Sequence, residues 1–325
     1  MRLIVLGGHG FIGSHFVRHA VDAGHDVTVV DLAPTPRHSH GRRYSFVHGG
    51  VSDLAAIPNL LRDADVLCHF AYSTVPATAN ADPARDVEEN VVSLLHLLDR
   101  VTSTALRRIV YISSGGAVYG PTHATPILET LPLHPISAYG VSKVASEQYL
   151  RLYAANHGLR PAIIRPSNPY GIDQGKVGLL GAVTTFMNLL ASGGRARIWG
   201  DGSVVRDFVH IDDLCCLLLM AAEQDVAGTY NCGSGAGCSL TQLLATIADV
   251  TGLALPVDYE PGRPFDPPAV VLDIARARAA FGWEPKVALA DGIRALARYL
   301  GLPVGGKQPV GLIPSLLGSD SGWEF

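Results

Sequence analysis

Residues 3–13 read LIVLGGHGFIG, and this stretch decides the fold of the chain. The apolar run before Gly7 predicts a β-strand, glycines recur at every third position from Gly7 to Gly13, and a helical pattern follows as far as Gly24. In a strand-turn-helix of this kind the glycines let the backbone approach a pyrophosphate, and the amides at the helix N-terminus point at it. The stretch therefore predicts a dinucleotide-binding unit.

The residue that ends the second predicted strand indicates which dinucleotide is bound. Residues 27–30 form that strand, and Asp31 follows about 20 residues after the glycine turn, where a carboxylate accepts hydrogen bonds from the adenosine ribose. Because a carboxylate there repels a 2′-phosphate, NAD is the predicted cofactor. Arg37, Arg42 and Arg43 come next and would soften that preference, although arginines in a polar loop are typical of a solvated surface.

Strands and helices alternate through the first half of the chain. Short β-branched runs predict further strands at residues 66–69, 108–113 and 162–165. Asp82 and Pro83 predict the N-cap and first turn of a long helix, and a second long helix is predicted from Tyr139 to a stop at Gly158. This alternation predicts an α/β fold, a doubly wound parallel sheet of the Rossmann type.

The second half of the chain is richer in glycine and proline. We therefore expect an NAD-binding domain over residues 1–170 and a smaller substrate-binding lobe over residues 171–302. Residues 230–232 are predicted to return to the edge of the main sheet. Residues 303–325 lack sustained periodicity and are expected to form a tail of unknown role.

Composition excludes several classes of function. The chain has 325 residues, is 48% hydrophobic and 17% charged, and carries a formal net charge of -4, so nucleic acid is not an expected partner. The longest later apolar stretch, residues 214–222, is far shorter than the roughly 20 residues of a bilayer span. The apolar start of the chain ends too early for a signal peptide. A soluble protein is predicted.

The cysteines and histidines indicate which cellular compartment to expect and whether a metal site is present. Five cysteines make an odd count without CxxC spacing, which favours free thiols and a cytoplasmic location. Thirteen histidines show no spacing typical of metal ligands, so no metal is predicted.

A candidate catalytic group follows the fourth predicted strand. Tyr139 and Lys143 are four residues apart and so lie on one face of the predicted helix. A lysine ammonium beside a phenol favours the phenolate and lowers its pKa, so that the tyrosine can take a proton from a hydroxyl group. A serine at the strand end, Ser113 or Ser114, can hold the same oxygen.

These motifs together resemble one known family. The chain is similar to the extended short-chain dehydrogenase/reductases, specifically to the UDP-glucose 4-epimerase-like group of the NAD-dependent epimerase/dehydratase family. The similarity lies in residues 7–13, Asp31, Asn90, and residues 113–120, 139–143 and 165–171, and it continues through residues 198–207 and 261–266. It covers essentially residues 1–300.

The resemblance implies roles for individual residues. Tyr139 would be the general base and Lys143 its partner and a ligand of the nicotinamide ribose. The substrate-binding residues implied are Ser114, Tyr139, Asn168, Arg206, Arg263 and Asp266, with Asn168 and the two arginines on the nucleotide diphosphate. The cofactor-binding residues implied are Gly7, Gly10, Phe11, Ile12, Gly13, Asp31, Val51, Phe70, Ala71, Tyr72, Asn90, Ser113, Tyr139, Lys143 and Pro166. The family also implies a homodimer that pairs the two long helices.

Three features depart from the family pattern. The epimerases usually carry their catalytic Ser or Thr at the position of Gly115, so the nearest hydroxyl, that of Ser114, is the predicted catalytic one. The Gly-Asp pair that holds the adenine amine in the family appears here as Gly49-Gly50, so that contact is absent or moved to Asp53. The loop at residues 72–76 has no lysine.

The predicted reaction is C4 epimerisation of a nucleotide-diphosphate sugar, a UDP-hexose, through a transient 4-keto sugar. Related dehydratases and decarboxylases use acidic residues just before Val118, where this chain has Gly116 and Ala117. A 4-ketoreductase of a deoxysugar pathway needs only the Ser, Tyr and Lys groups, so it stays open as the main alternative. A non-catalytic NAD-binding scaffold is the minor one.

Overall fold

The computed structural model of the chain describes residues 1–38, 41, 43–51, 53, 57–122, 124–175, 181–262 and 267–305. Arg263, Asp266 and most of the predicted tail lie outside these residues. The strands, in chain order, are β1 (Arg2–Leu6), β2 (Asp26–Asp31), β3 (Ser45–His48), β4 (Val66–His69), β5 (Arg108–Ile112), β6 (Arg160–Pro166), β7 (Asn168–Tyr170), β8 (Ala196–Trp199), β9 (Val205–His210), β10 (Gly228–Cys232), β11 (Gly237–Ser239), β12 (Val257–Glu260) and β13 (Ala269–Val270).

The α-helices are α1 (Phe11–Asp22), α2 (Ile57–Asp63), α3 (Pro76–Ala81), α4 (Pro83–Asp86), α5 (Ser93–Thr102), α6 (Gly115–Val118), α7 (Ala138–His157), α8 (Ala182–Ala191), α9 (Ile211–Glu223), α10 (Leu240–Thr251), α11 (Ala275–Phe281) and α12 (Leu289–Tyr299). A π-helical turn, Val87–Val92, joins α4 to α5. No helix in the described part of the chain has both the length and the apolarity to cross a bilayer.

Within the described residues, seven parallel strands form the main sheet in the order β10-β6-β5-β4-β1-β2-β3. This confirms the predicted doubly wound sheet. The strand order reverses between β1 and β4, and ligands of such sheets bind outside the carboxyl ends of the strands at that point. Each strand drawn from sequence is present within two residues of its predicted ends, and β10 returns to the sheet edge as expected.

Helices cover both faces of the main sheet because successive strand residues point to opposite sides. In β1, Leu3 and Val5 enter a core shared with α1, α9 and α11, whereas Ile4 and Leu6 enter a core shared with α5 and α7. The two long helices predicted from sequence are therefore neighbours on one face of the sheet.

The second half of the chain has a core of its own. It packs α8, α10 and α12 around β7, β8 and β9. Strand β9 pairs with β7, β11 and β13, and β8 pairs with β12. From the same half, α9, β10 and α11 pack back onto the main sheet, so the small lobe is joined to the large one at several places.

The two long helices begin and end where the sequence predicts. Asp82 caps α4 by accepting a hydrogen bond from the Arg85 amide at 3.1 Å. Ser137 caps α7, and Gly158 ends it at φ +67°, a left-handed conformation that suits glycine. The helix predicted from Pro83 differs in one respect: the Ser93 amide bonds back to the carbonyl of Glu88, five residues earlier, which widens one turn.

Candidate active site

The turn after β1 has no room for a side chain at Gly7 or at Gly13. Gly7 adopts φ +77°, and a Cβ atom there would lie 2.5 Å from the Ala71 backbone nitrogen. A Cβ at Gly13 would lie 2.1 Å from the Gly7 carbonyl oxygen. Among the described residues no side chain caps the N-terminus of α1, so its amides face the turn. This cradle fits a pyrophosphate, which needs close backbone and free amides.

Asp31 stands at the carboxyl end of β2 beside this cradle. Its two carboxylate oxygens accept hydrogen bonds from the amides of His9 and Ala33, each at 2.8 Å. These bonds fix the carboxylate at the edge of the glycine turn. The charge therefore lies where an adenosine ribose would meet it and where a 2′-phosphate would be repelled.

The other predicted cofactor residues come from several elements. Phe11 and Ile12 open α1; Val51 follows β3; Phe70, Ala71 and Tyr72 follow β4; and Pro166 ends β6. Because the carboxyl ends of parallel strands meet at one edge, these residues lie on that edge of the sheet. Asp53 lies in the turn after β3, where its amide bonds to the Gly50 carbonyl.

Tyr139 and Lys143 lie one turn apart on α7, as predicted, at the end of β5. The Tyr139 ring meets the Tyr72 ring edge to face at a centroid separation of 5.0 Å. The Lys143 ammonium is buried, donates to the Ile112 carbonyl at 2.8 Å and lies 3.8 Å from the centre of the Tyr72 ring. It is 5.8 Å from the centre of the Tyr139 ring.

Burial governs the titration of both groups. It raises the pKa of Tyr139 to about 12; the hydrogen bond with Ser114 acts against this increase, and the Asp86 carboxylate adds to it. Burial lowers the pKa of Lys143 to about 7, opposed by the carboxylates of Glu147 and Asp86. The expectation that Lys143 lowers the phenol pKa is therefore not met here. The described contact that favours the phenolate is the one from Ser114.

The two serines after β5 have different partners. Ser114 lies near Tyr139, and its hydroxyl favours the phenolate and so opposes the rise of the Tyr139 pKa. Ser113 is buried and donates its hydroxyl to Oε1 of Glu147 at 2.6 Å. A side chain at Gly115 would place its Cβ 2.6 Å from Leu272 Cδ1, so Leu272 would have to move before a hydroxyl could stand at the usual family position.

Glu147 and Arg165 form a buried ion pair beneath the site. Two guanidinium nitrogens of Arg165 contact the two oxygens of Glu147 at 2.8 and 2.5 Å. Arg165 also donates to the Tyr119 hydroxyl at 2.9 Å, and Tyr119 donates to Asn231 at 2.6 Å. Hydrogen bonds and charge from Arg165 hold the pKa of Glu147 below its usual value despite burial, which raises it. The network ties α7 to β6 and β10.

Asn90 lies in the π-helical turn and is buried. Its Oδ1 accepts from the Ser73 amide at 3.0 Å, and its Nδ2 donates to the Asp86 carbonyl at 3.0 Å. Asp86 itself was not singled out from the sequence. The available signal is spacing: Asp86, Asn90 and Leu94 are four residues apart on the buried stripe of one helix, where a carboxylate is out of place.

The substrate residues implied by the family lie partly within the described chain. Asn168 on β7 donates to the Asp207 carbonyl at 2.9 Å. Arg206 on the paired strand β9 donates to the carbonyls of Val205 and Pro267 at 2.8 and 3.0 Å. Both residues therefore belong to one small sheet. Arg263 lies outside the described residues, as does Asp266.

One histidine cluster lies away from these groups. His15 and His38 stack at 4.2 Å with their planes 6° apart, and His38 contacts Asp173 at 2.8 Å. Ligand atoms of the three residues lie within 4.8 Å of one another. Ring nitrogens bind metals in the plane of the ring, so parallel rings do not converge on one ion. We assign no metal to this cluster.

Comparison with known proteins gives consistent matches. The model of the NAD dependent epimerase/dehydratase family matches residues 3–233. A UDP-glucose 4-epimerase of Mycolicibacterium smegmatis is 35% identical over 302 residues, covering 90% of this chain and 96% of that protein. Solved UDP-glucose 4-epimerases from Thermotoga maritima, with UDP-glucose, and Thermus thermophilus, with NAD, match with TM-scores of 0.86 and 0.85. They are 33% and 32% identical, and each match covers 93% of this chain and 99% of the other.

Proposed function

The chain belongs to the NAD-dependent epimerase/dehydratase family, and we propose that it inverts C4 of a UDP-hexose through a transient 4-keto sugar. It is an NAD-dependent nucleotide-sugar epimerase. The observation that carries the proposal is that Tyr139 and Lys143 both lie against Tyr72, at the sheet edge that also holds the glycine cradle. A proton acceptor thus lies beside a dinucleotide site.

The residues of the cradle and Asp31 would hold NAD by its pyrophosphate and adenosine ribose. NAD held there would supply the hydride acceptor for C4 of the sugar and the hydride for its return. Tyr139 takes the proton of the 4-hydroxyl as the carbonyl forms, and Ser114 keeps a hydrogen bond to the same oxygen. The Lys143 ammonium, one turn along α7, supplies positive charge to this corner of the site.

The chain offers no group for eliminating a neighbouring substituent at the positions that dehydratases use. Gly116 is exposed, and a Cβ built there meets no atom within 4 Å. Ala117 follows it. The charge of the Asp86 carboxylate affects Tyr139, but the side chain is fully buried and hydrogen-bonded, so it does not reach the cleft. A bound ketone must therefore take hydride back, and return on the opposite face of a rotated sugar inverts C4.

Each lobe has its own part in this proposal. Residues 1–170 hold NAD, and residues 171–302 hold the nucleotide sugar with Asn168 from the junction. Support comes from Arg206, whose guanidinium lies on the small sheet with that asparagine and matches phosphate oxygens in shape and charge. Arg263 and Asp266 complete the proposed set.

We also propose a cytoplasmic homodimer. All five cysteines are free thiols, which suits a reducing compartment. The helices that pair in the family carry exposed apolar side chains here: Val87 is 42%, Val141 52% and Leu152 49% exposed. A second copy would cover them as a four-helix bundle. Light scattering at micromolar concentration tests this, and a monomer would contradict it.

Two measurements test the reaction. The enzyme, denatured after purification, should release stoichiometric NAD. With UDP-glucose or UDP-galactose, or their N-acetyl or uronic acid relatives, it should interconvert the C4 epimers with no net change in NADH absorbance, and Tyr139→Phe serves as the inactive control. Release of no NAD, with steady consumption of added NAD(P)H by a 4-keto sugar and no interconversion, would instead identify a ketoreductase.

A further inference from the structure

Asp86 has an unusual environment for an aspartate on a helix. Its side chain is completely buried. Thr74 and Asn90 donate to Oδ1, and Ser142 donates to Oδ2. A buried carboxylate is costly unless donors or a cation compensate for its lost water. Here the three donors come from three elements: the loop after β4, the π-helical turn and α7.

These bonds fix the residues that surround Lys143. Thr74 belongs to the same loop as Tyr72, whose ring lies under the Lys143 ammonium. Asn90 holds the intervening Ser73 by its amide and hydroxyl at 3.0 and 3.1 Å. Ser142 directly precedes Lys143 on α7. The Asp86 carboxylate thus joins both sides of the pocket that receives the ammonium.

The charge of Asp86 acts on the same pocket. Burial raises the pKa of Tyr139, and the Asp86 carboxylate adds to that increase. Burial lowers the pKa of Lys143, whereas Glu147, one turn further along α7, and Asp86 both raise it. Tyr72 from the loop and Tyr111 from β5 also face it, and burial raises the pKa of both, with a contribution from Asp86. Both tyrosines stay neutral. His69 of β4 also faces Lys143, and burial together with the Lys143 charge lowers its pKa to about 3, so Lys143 is the group here that carries positive charge.

We propose that Asp86 is a positioning residue for the epimerase reaction: its buried carboxylate fixes the loop after β4 and α7 around Lys143 and balances the charge of the ammonium. This inference rests on the proposed function for the role of Tyr139 and Lys143. Its structural part, a carboxylate that favours the charged form of Lys143, does not depend on which sugar is used.

The first test is the pH profile of Asp86→Asn, a substitution that keeps the size of the side chain and removes its charge. Turnover should fall by about tenfold or more. Both limbs of the profile should move to lower pH, by about one unit for loss of a neighbouring charge, because the Asp86 carboxylate raises the pKa of both Tyr139 and Lys143. The matched control is Glu88→Gln, which removes an exposed carboxylate two residues away and should keep both limbs. Limbs unchanged in Asp86→Asn would overturn the proposal.

The second test measures the titration of Lys143 directly and does not depend on enzyme activity. The chain has three other lysines, Lys176, Lys286 and Lys307, so ¹³C labelling of lysine gives a simple spectrum in which Lys143→Met identifies the signal. In the enzyme as purified, Asp86→Asn should lower the Lys143 midpoint by about one pH unit and leave the others unchanged. An unchanged midpoint overturns the proposal. An enzyme that interconverts no sugar yet shows this shift contradicts the proposed function alone.

If Asp86→Asn does not fold, the variant Ser142→Ala tests the positioning role instead. It removes one hydrogen bond to Asp86 and keeps the charge. We expect turnover to fall several-fold while Lys143 titrates as in the parent enzyme. Parent turnover in this variant would overturn the positioning role.

Discussion

The hydroxyl of Ser113 donates to Glu147 at 2.6 Å in the buried layer beneath the cleft. Arg165 and Arg151 contact the same carboxylate. The Ser113 hydroxyl is therefore part of the buried hydrogen-bond network beneath the site. Its neighbour Ser114 faces the phenol of Tyr139. Two adjacent serines therefore have separable tasks.

Substitution of the two serines should affect different quantities. Ser114→Ala should lower turnover about 10- to 100-fold, the range for losing one hydrogen bond to a developing charge, with an unchanged unfolding midpoint. Ser113→Ala should keep turnover near that of the parent and lower the free energy of unfolding by about 1–3 kcal/mol, because it removes a donor from buried Glu147. Steady-state kinetics and urea unfolding measure both. Greater loss of turnover in Ser113→Ala would show that the hydroxyl is assigned wrongly.

Tyr139→Phe should lower turnover by at least about a hundredfold, the scale of acid-base assistance, because it removes the oxygen that accepts the proton. The ring and its edge-to-face contact with Tyr72 remain, so the fold should survive. Epimer interconversion and thermal unfolding check the two parts. Near-parent activity in this variant would exclude Tyr139 as the general base.

Lys143 gives a pH dependence of stability with a definite sign. Its pKa is about 7 in the folded chain and about 10.4 in an unfolded one, so between these values the unfolded state binds more protons. The free energy of unfolding should therefore rise with pH from about 7 to 10, by up to about 1.4 kcal/mol per pH unit from this group. Urea unfolding of the parent and of Lys143→Met in the same buffers isolates the contribution. A difference that stays flat over this range would contradict it.

Gly13→Ala should abolish most NAD binding. Its Cβ would lie 2.1 Å from the Gly7 carbonyl, so the turn must open and α1 must move away from the pyrophosphate. Gly305→Ala is the matched control, since a Cβ there meets no atom within 4 Å. NAD released from the denatured proteins measures the effect. Equal NAD content in the two variants would argue against this cradle.

Sequence predicts the main sheet because its strands are buried on both faces and so appear as continuous apolar runs. Strand β3 (Ser45–His48) was missed because it lies at the sheet edge and is mostly exposed, which leaves only a short mixed run. The conformation of Gly158 at the end of α7 could be predicted because the cap is local.

The candidate site was only partly predictable for a related reason. The family pattern supplies Tyr139 and Lys143, but the packing that closes position Gly115 comes from Leu272, a residue far away in the chain. Asp86 gives no signal as a single residue, since an aspartate on a helix usually faces solvent. Its burial depends on Thr74 and Ser142, which come from two other elements.

The π-helical turn at Val87–Val92 sets the phase between two surfaces of one helix. Each residue of an α-helix advances by about 100°, and a π turn absorbs about one extra residue. Before this turn Asp86 bonds to Ser142 of α7, and after it the leucines of α5 enter the core beneath the sheet. One continuous helical segment thus supplies both a buried carboxylate of the polar layer and the leucines of the apolar core.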